Sequence, residues 1–499
     1  MQAGAWVAVA IGVTGACYGQ RPSQGGGQIT KAEFRDAIRS PANPHDIDVP
    51  PGYRVELVAQ GLTFPTGVAF GPAGEVYVVE SGYSYGERLT TPRIVEVEPR
   101  GELRVVLEGP PSKNGAPWNG IAYRDGALFV AHGGAIDGGS IVRYDVAGGT
   151  LGAPQVLVEG LPGIGDHHTN GPVISRDGWV YFGQGTVTNS AVVGPDNADF
   201  GWLGRHPELH DIPCTDVTLA GLNFTSKNPL TLDEKDEVTT GAYLPFGTPS
   251  TPGQVIKGSL PCSGAIMRVR TTGGPVELVA WGFRNPFGLA LGPDDTLYVT
   301  DNGFDTRGSR PVFGGADMLW RVEPGRWYGW PDFSEGRPLT ASWYAESNGA
   351  PKGFVLAQHP GQPPEPTIYF PVHSCATGFD FSRDPAFGHV GEGFVALFGD
   401  MAPNVGKVLH PVGFAVMKVN PESGELEFFA RNHADEPGPG SKRENHGFER
   451  PVAARFDPSG KALYVVDFGV MQMSDRGANP IARTGKLWRI TKEAPHASR

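Results

Sequence analysis

The stretch at 64–82, FPTGVAFGPAGEVYVVESG, reads as a β-hairpin. An apolar strand meets a Gly-Pro-Ala-Gly turn and returns as an aromatic-containing strand, with small or polar residues at both ends. The same form recurs as PWNGIAYRDGALFVAHGG (117–134), HHTNGPVISRDGWVYFGQG (167–185) and RNPFGLALGPDDTLYVTDNG (284–303). Two more copies follow, CATGFDFSRDPAFGHVGEGFVALFGD (375–400) and ERPVAARFDPSGKALYVVDFG (449–469). Recurrence of one unit marks a repeat architecture, in which each unit buries its faces against its neighbours.

Two further strand signals lie between successive hairpins, as in IVRYDV and PQVLVEG, IMRVRTTGGPVELVAWG, and FAVMKVNPESGELEFFAR. Four strands per unit and six units predict an all-β fold, a six-bladed β-propeller with four-stranded blades and one long insertion. The chain opens on an outer-type strand, YRVELVAQG (53–61), and closes on a third-type strand, KLWRI (486–490). Together they complete one blade and fasten the ring. A two-sheet sandwich would leave six copies of one hairpin unexplained.

The hairpins starting at His167 and Arg284 are much further apart than a blade of roughly 40 to 50 residues requires. The excess defines an insertion at about 187–265, rich in Pro, Gly, Thr and Asn. Cys214 and Cys262 fall within it and suit a disulfide that clasps its ends, leaving Cys375 single. No Cys-x-x-Cys pair offers thiolate ligands at metal spacing, and no Cys-x-x-Cys-His offers haem attachment.

Gly (72) and Pro (46) are abundant, yet aromatics reach 10%, which suits many short strands joined by tight turns. A net charge of −12 without a Lys/Arg cluster excludes nucleic acid as a partner class. Residues 5–16, AWVAVAIGVTGA, have the length of a secretory apolar core and not of a membrane span. The expected division is a signal peptide at 1–17, a linker with a short helix (Ile29 to Ile38) at 18–49, and the propeller at 50–495. Thr-Gly-Ala before Cys17 loosely follows a lipoprotein cleavage site, so a lipid anchor at Cys17 is a second expectation. Both place the protein in the periplasm or outside the cell.

In a propeller the first strand of each blade lines the axis, and its leading end shares a face with the trailing end of the second strand. That face collects Thr66, Asn119, His168, Thr169, Asn170, Arg284, Asn285, Thr377 and Arg450 from first strands. From second strands it collects Glu80, His132, Gln184, Asp301, Asn302, Asp400 and Asp467. Such reactive residue types are not needed to fill a channel, so a ligand site is expected there. His168, with Asp166 nearby in sequence to orient it, is the candidate general base. Arg284 and Asn285 suit a carboxylated or quinonoid ligand; the structural alternative pairs Arg284 with Asp301 or Glu80. Asp301-Asn302-Gly303-Phe304, followed by Asp317, offers oxygen ligands on a sharp turn, as calcium prefers.

GDHHTNGPVISRDGWVYFGQG, WGFRNPFGLALGPDDTLYVTDNG, YGWP (328–331) and ERPVAARFDPSGKALYVVDFG resemble the glucose/sorbosone dehydrogenase family. The resemblance runs from about Pro50 to the C-terminus, interrupted by the insertion. It implies a soluble six-bladed quinoprotein that oxidises a sugar or related alcohol with pyrroloquinoline quinone (PQQ) and Ca2+. Electrons would pass to an external acceptor, a quinone or cytochrome. By position, it implies His168 as the base, and Arg284, Asn285, Arg450 and Lys407 as cofactor contacts. Gly303 and Phe304 would present backbone carbonyls to the calcium, with Asp317 beside them.

Two other functions use the same fold. A calcium-dependent lactone hydrolase would recruit Glu80, Asn119, Asn285 and Asp301 around an axial metal, but gives no work to Arg284 or GDHHTNGP. A non-catalytic propeller would bind a ligand or protein on its face.

Overall fold

Each of the six hairpins forms the inner half of a four-stranded antiparallel sheet, and the six sheets stand around a common axis. The computed structural model describes residues 42–493 except 85–87, 111–116, 134–137, 200, 347–348, 402–407, 409, 444 and 475–476. The leader, Cys17, the helix expected at 29–38 and Lys407 therefore lie outside the described residues.

Blade 1 runs through Pro65–Phe70, Val76–Glu80, Arg93–Val97 and Leu103–Glu108. Blade 2 follows with Trp118–Arg124, Ala127–His132, Gly139–Ala147 and Gln155–Leu161. Blade 3 begins with Thr169–Ile174 and Trp179–Gln184, is interrupted by the insertion, and resumes with Ala265–Arg270 and Glu277–Trp281. Blade 4 comprises Pro286–Leu291, Leu297–Asp301, Asp317–Arg321 and Ile368–Phe370. Blade 5 comprises Ala376–Phe381, Gly393–Leu397, Ala415–Val419 and Leu426–Asn432. Blade 6 is Pro451–Phe456, Ala462–Asp467 and Gly485–Lys492, completed by Tyr53–Leu62 from the other end of the chain.

That closure follows the sequence expectation, in register from Tyr53 opposite Lys492 to Leu62 opposite Gly485. The stretch before Pro50 also joins the ring. Ile47–Asp48 pairs with Asn432 and Arg431 as a fifth strand on blade 5.

Blade interfaces hold the core. Six apolar clusters each combine side chains of two adjacent blades, as where Tyr77 and Ile94 of blade 1 meet Trp118 and Val142 of blade 2. Inner strands are consequently apolar on both faces; all of Leu297–Asp301 is buried. The small residue recurring in each first strand has a steric cause. A Cβ on Gly120 would come within 1.9 Å of the Gly171 carbonyl oxygen, and one on Gly288 within 2.3 Å of that of Thr377. First strands of neighbouring blades touch backbone to backbone near the axis.

The insertion carries a disulfide between Cys214 and Cys262, with Cα atoms 5.0 Å apart. Within it lie two short helices, Pro195–Asp199 and Trp202–Arg205, and a ribbon of Asn223–Lys227 paired with Glu237–Gly241. Ala191, Val192 and Tyr243 pack with Phe304, Trp330 and Tyr344 in a seventh cluster. The insertion is thus seated on the long excursions of blade 4, on the face where the first strands begin. Among the described residues no helix is long and apolar enough to cross a membrane.

Candidate active site

A funnel of about 1290 Å³, part of it open to solvent, occupies that face and is lined by residues from all six blades. Its floor carries a chain of asparagine amides, contributed by the leading ends of first strands and the trailing end of blade 4's second strand. Asn119 Nδ2 donates to Asn170 Oδ1 (3.3 Å), Asn170 Nδ2 to Asn285 Oδ1 (3.1 Å), and Asn285 Nδ2 to Asn302 Oδ1 (2.9 Å). Asn302 Nδ2 ends the chain on the Ala376 carbonyl at 2.9 Å. A carbonyl only accepts, so this last bond fixes the orientation of every amide behind it.

Two adjacent histidines reach the funnel, and their surroundings differ. His168, the expected base, has both ring nitrogens buried without a hydrogen-bond partner among the described residues, and burial lowers its pKa to about 4. Asp166 does not orient it; that carboxylate pairs with Arg307 at 2.6 Å. His167 is held instead. Its Nδ1 lies 3.0 Å from the Thr186 carbonyl and 3.1 Å from Thr186 Oγ1, whose own proton goes to the Thr188 carbonyl. Both contacts are acceptors, so the proton resides on Nδ1. Nε2, with no protein partner among the described residues, is left to the funnel as a lone-pair acceptor. Burial, then Arg284 and Arg307, hold His167 well below the ordinary histidine pKa, so it is neutral at pH 7.

Arg284 lines the funnel, but its guanidinium pairs with neither Asp301 nor Glu80. Its guanidinium meets Asp305 at 2.6 Å and Asn189 Oδ1 at 3.1 Å. Asp305 also takes Arg307, which pairs with Asp166 and Asp196 as well. Burial alone would raise Asp305; Arg284 and Arg307 outweigh it and keep the carboxylate ionised far below its usual range. Asp166 goes the other way. Burial exceeds its attraction to Arg307 and pushes it up to about 6.

Gly303 lines the funnel, and neither its carbonyl nor that of Phe304 accepts a hydrogen bond among the described residues. A Cβ on Gly303 would come within 2.4 Å of the Gly315 and Ala316 carbonyl oxygens, so the turn is pressed against that strand entry. The Phe304 side chain turns away into the insertion core. Asp317 accepts from the amides of Gly303 (2.9 Å) and Ala376 (3.1 Å) and from Ser374 Oγ (3.2 Å), which braces the turn.

The remaining second-strand residues serve the frame. Asp301 caps the amides of Arg284 and Asn285, and Asp467 those of Glu449 and Arg450. Glu80 takes the Thr63 amide and Arg93, His132 stacks on Trp118, and Asp400 takes the Val412 amide. None of these lines the funnel, and neither does Arg450. Its Nη1 donates to the carbonyls of Phe398, Gly399 and Asp400, and its guanidinium lies over Phe398 and Phe414. That places Arg450 behind the wall, not in it. The wall from blades 5 and 6 is apolar instead, with Phe398, Met401, Val452, Phe468 and Met471.

Asn189, Asp305, Arg307, His373 and Trp202 belong to the site without any signal in the sequence pattern. They sit on excursions outside the repeat, where no register predicts direction. Among the described residues, no group of three or more His, Cys, Asp or Glu side chains could hold a metal ion.

No protein-family model and no curated protein matches the chain. Solved structures do. The holo form of the PQQ domain of pyranose dehydrogenase from Coprinopsis cinerea superposes with a TM-score of 0.54 at 16% identity, over 91% of this chain and 98% of that one. The apo soluble aldose sugar dehydrogenase of Escherichia coli gives 0.52 at 14% identity, over 88% and 100%. An oxidoreductase of Thermus thermophilus described as a glucose dehydrogenase gives 0.50 at 19% identity, over 88% and 100%. The chain therefore shares the six-bladed propeller fold of these sugar dehydrogenases.

Proposed function

We propose that the protein is a PQQ- and calcium-dependent oxidoreductase acting on the hydroxyl of a sugar, a related alcohol or an aldehyde hydrate. One observation carries this. A neutral histidine with a fixed tautomer, His167, lines the same funnel as Arg284, Asn285 and Gly303, whose carbonyl accepts no hydrogen bond among the described residues.

These residues fit the reacting end of such a cofactor. Two carbonyls that accept no hydrogen bond among the described residues suit a hard divalent cation. Arg284 and Asn285 would hold the quinone, and the carbonyls of Gly303 and Phe304 the cation. When bound, the quinone is the hydride acceptor and the cation its Lewis acid.

The chain's own residues supply the proton chemistry and the positioning. His167 Nε2 takes the hydroxyl proton, and Thr186 keeps Nδ1–H in place and stabilises the imidazolium that forms. The proton acceptor is thus His167 in preference to its neighbour, since no described residue sets the tautomer of His168. Arg284 is oriented by Asp305. Asp317 holds the turn at Gly303 through its amide. The apolar wall of Phe398, Met401, Val452, Phe468 and Met471 excludes water from the opposite side.

Electrons would leave to an external acceptor. Export fits the leader-like start and the Cys214–Cys262 disulfide, which persists in oxidising compartments. The lactone hydrolase alternative loses two of its four residues, because Glu80 and Asp301 are engaged by backbone amides away from the funnel.

The test is reconstitution of the apoprotein with PQQ and Ca2+, followed by reduction of an artificial electron acceptor with a panel of aldoses and alcohols. Turnover that His167→Ala abolishes supports the proposal. Absence of turnover with every substrate, or lactone hydrolysis in its place, rejects it.

A further inference from the structure

Asn189 of the insertion sits against the guanidinium of Arg284, which lines the funnel. Asn189, buried to 2% exposure, has all four of its amide hydrogen-bonding positions filled. Its Oδ1 accepts from Arg284 Nε (3.1 Å) and the Asp305 amide (2.9 Å). Its Nδ2 donates to the carbonyls of Asp305 (2.8 Å) and Arg307 (3.2 Å). Two carbonyl acceptors on one side and two N–H donors on the other allow one orientation of the amide.

Support for Asn189 comes from its own segment. Its backbone carbonyl accepts from Trp330 Nε1 at 3.2 Å. The preceding residues are tied to Asp211, which accepts from the Val187 amide (2.6 Å) and Thr188 Oγ1 (2.6 Å). Asp211 lies close before Cys214, where the disulfide closes. A continuous path of bonds therefore runs from the disulfide to the guanidinium of Arg284 and the loop after Gly303 and Phe304.

We infer that Asn189 is a positioning residue, through which the insertion fixes the guanidinium of Arg284 and the 305–307 loop in the geometry that ligand binding requires. Arginine selects a planar anionic or quinonoid partner by direction as much as by charge, so a guanidinium free to turn binds less well. The insertion is on this account a working part of the site. The inference rests on Arg284 being a quinone contact.

A double-mutant cycle tests it, with PQQ binding in the presence of Ca2+ read by quenching of tryptophan fluorescence. Asn189→Ala should weaken binding about tenfold in the wild-type background and by less than about twofold in Arg284→Lys, since coupled residues are non-additive. Equal losses in both backgrounds, or no loss in either, would overturn the inference. Asn189→Ser serves the same cycle if the alanine variant does not fold.

A second measurement needs no ligand. Hydrogen exchange of Arg284 Nε–H, identified by its disappearance in Arg284→Lys, should be slow in wild type and fast in Asn189→Ala. Equally fast exchange in both would overturn the inference. Failure of wild type to bind PQQ would instead reject the cofactor proposal, and the exchange measurement would still decide whether Asn189 holds Arg284.

Discussion

At the residue scale, the chemistry turns on which of two neighbouring histidines has a fixed proton. GDHHTNGP marks the place, but the choice between His167 and His168 depends on Thr186, whose carbonyl no sequence pattern points at His167. The predicted kinetics follow. His167→Ala should lower kcat by about 10²- to 10⁴-fold, the usual range for a lost general base, while His168→Ala should act mainly on stability. Because the His167 pKa is depressed, the base stays deprotonated well below pH 6.5, so kcat/KM should hold level through pH 6 and fall only in stronger acid. A fall centred on pH 6.5 would contradict this.

Asp301 makes the complementary case. Burial raises it to about 7, although it accepts from the Arg284 and Asn285 amides. A raised folded-state pKa gives stability that is full below the unfolded value near 4 and lost as pH rises through 7. Asp301→Asn keeps an accepting oxygen and removes the titration. In urea unfolding, wild type should lose ground to the variant between pH 4 and pH 8, by a few kcal/mol at most. A pH-independent difference would show that the carboxylate is not strained by burial.

At the element scale, the hairpins were legible because each must satisfy the same constraints. Its two strands face apolar neighbours on both sides, and its small residue sits where Gly120 meets Gly171 and Gly288 meets Thr377. Insertions obey no such repeat. Cys214 and Cys262 were readable as a clasp, yet the seating of Ala191 and Tyr243 on Phe304 and Trp330 depends on long-range packing. The same limit hid Asp305 and Arg307, and it made Arg450 look like a ligand contact when its guanidinium serves three carbonyls. The disulfide spans 48 residues, for which loop-closure entropy gives about 4 kcal/mol. Replacing both cysteines by serine should destabilise the fold by an amount of that order in denaturant unfolding and weaken ligand binding through the 187–189 segment. Unchanged stability would show that the insertion is held by its apolar core alone.

At the scale of the molecule, the ring is closed by strands from opposite ends of the chain. Tyr53–Leu62 covers Gly485–Lys492 along its length, and both faces of blade 6 are packed against neighbours. This was legible because an unpaired outer strand at one end and a three-stranded remainder at the other complete each other. Deletion of residues 1–62 should expose Gly485–Lys492 as an edge, with loss of cooperative unfolding and concentration-dependent association in size-exclusion chromatography. A monomeric product with an unaltered unfolding midpoint would mean that the closure contributes little.

The ring brings first-strand ends from six blades to one funnel, and the excursions of blades 3 and 4 add the charged cluster and the insertion above it. The proposed chemistry needs that funnel to take up a quinone in company with a divalent cation. Titration of the apoprotein with PQQ, with and without Ca2+, tests this most directly. Saturable binding of one PQQ per chain that requires Ca2+ and is weakened by Arg284→Lys is expected; no binding in either condition, or binding indifferent to both the cation and Arg284, would overturn the proposed chemistry.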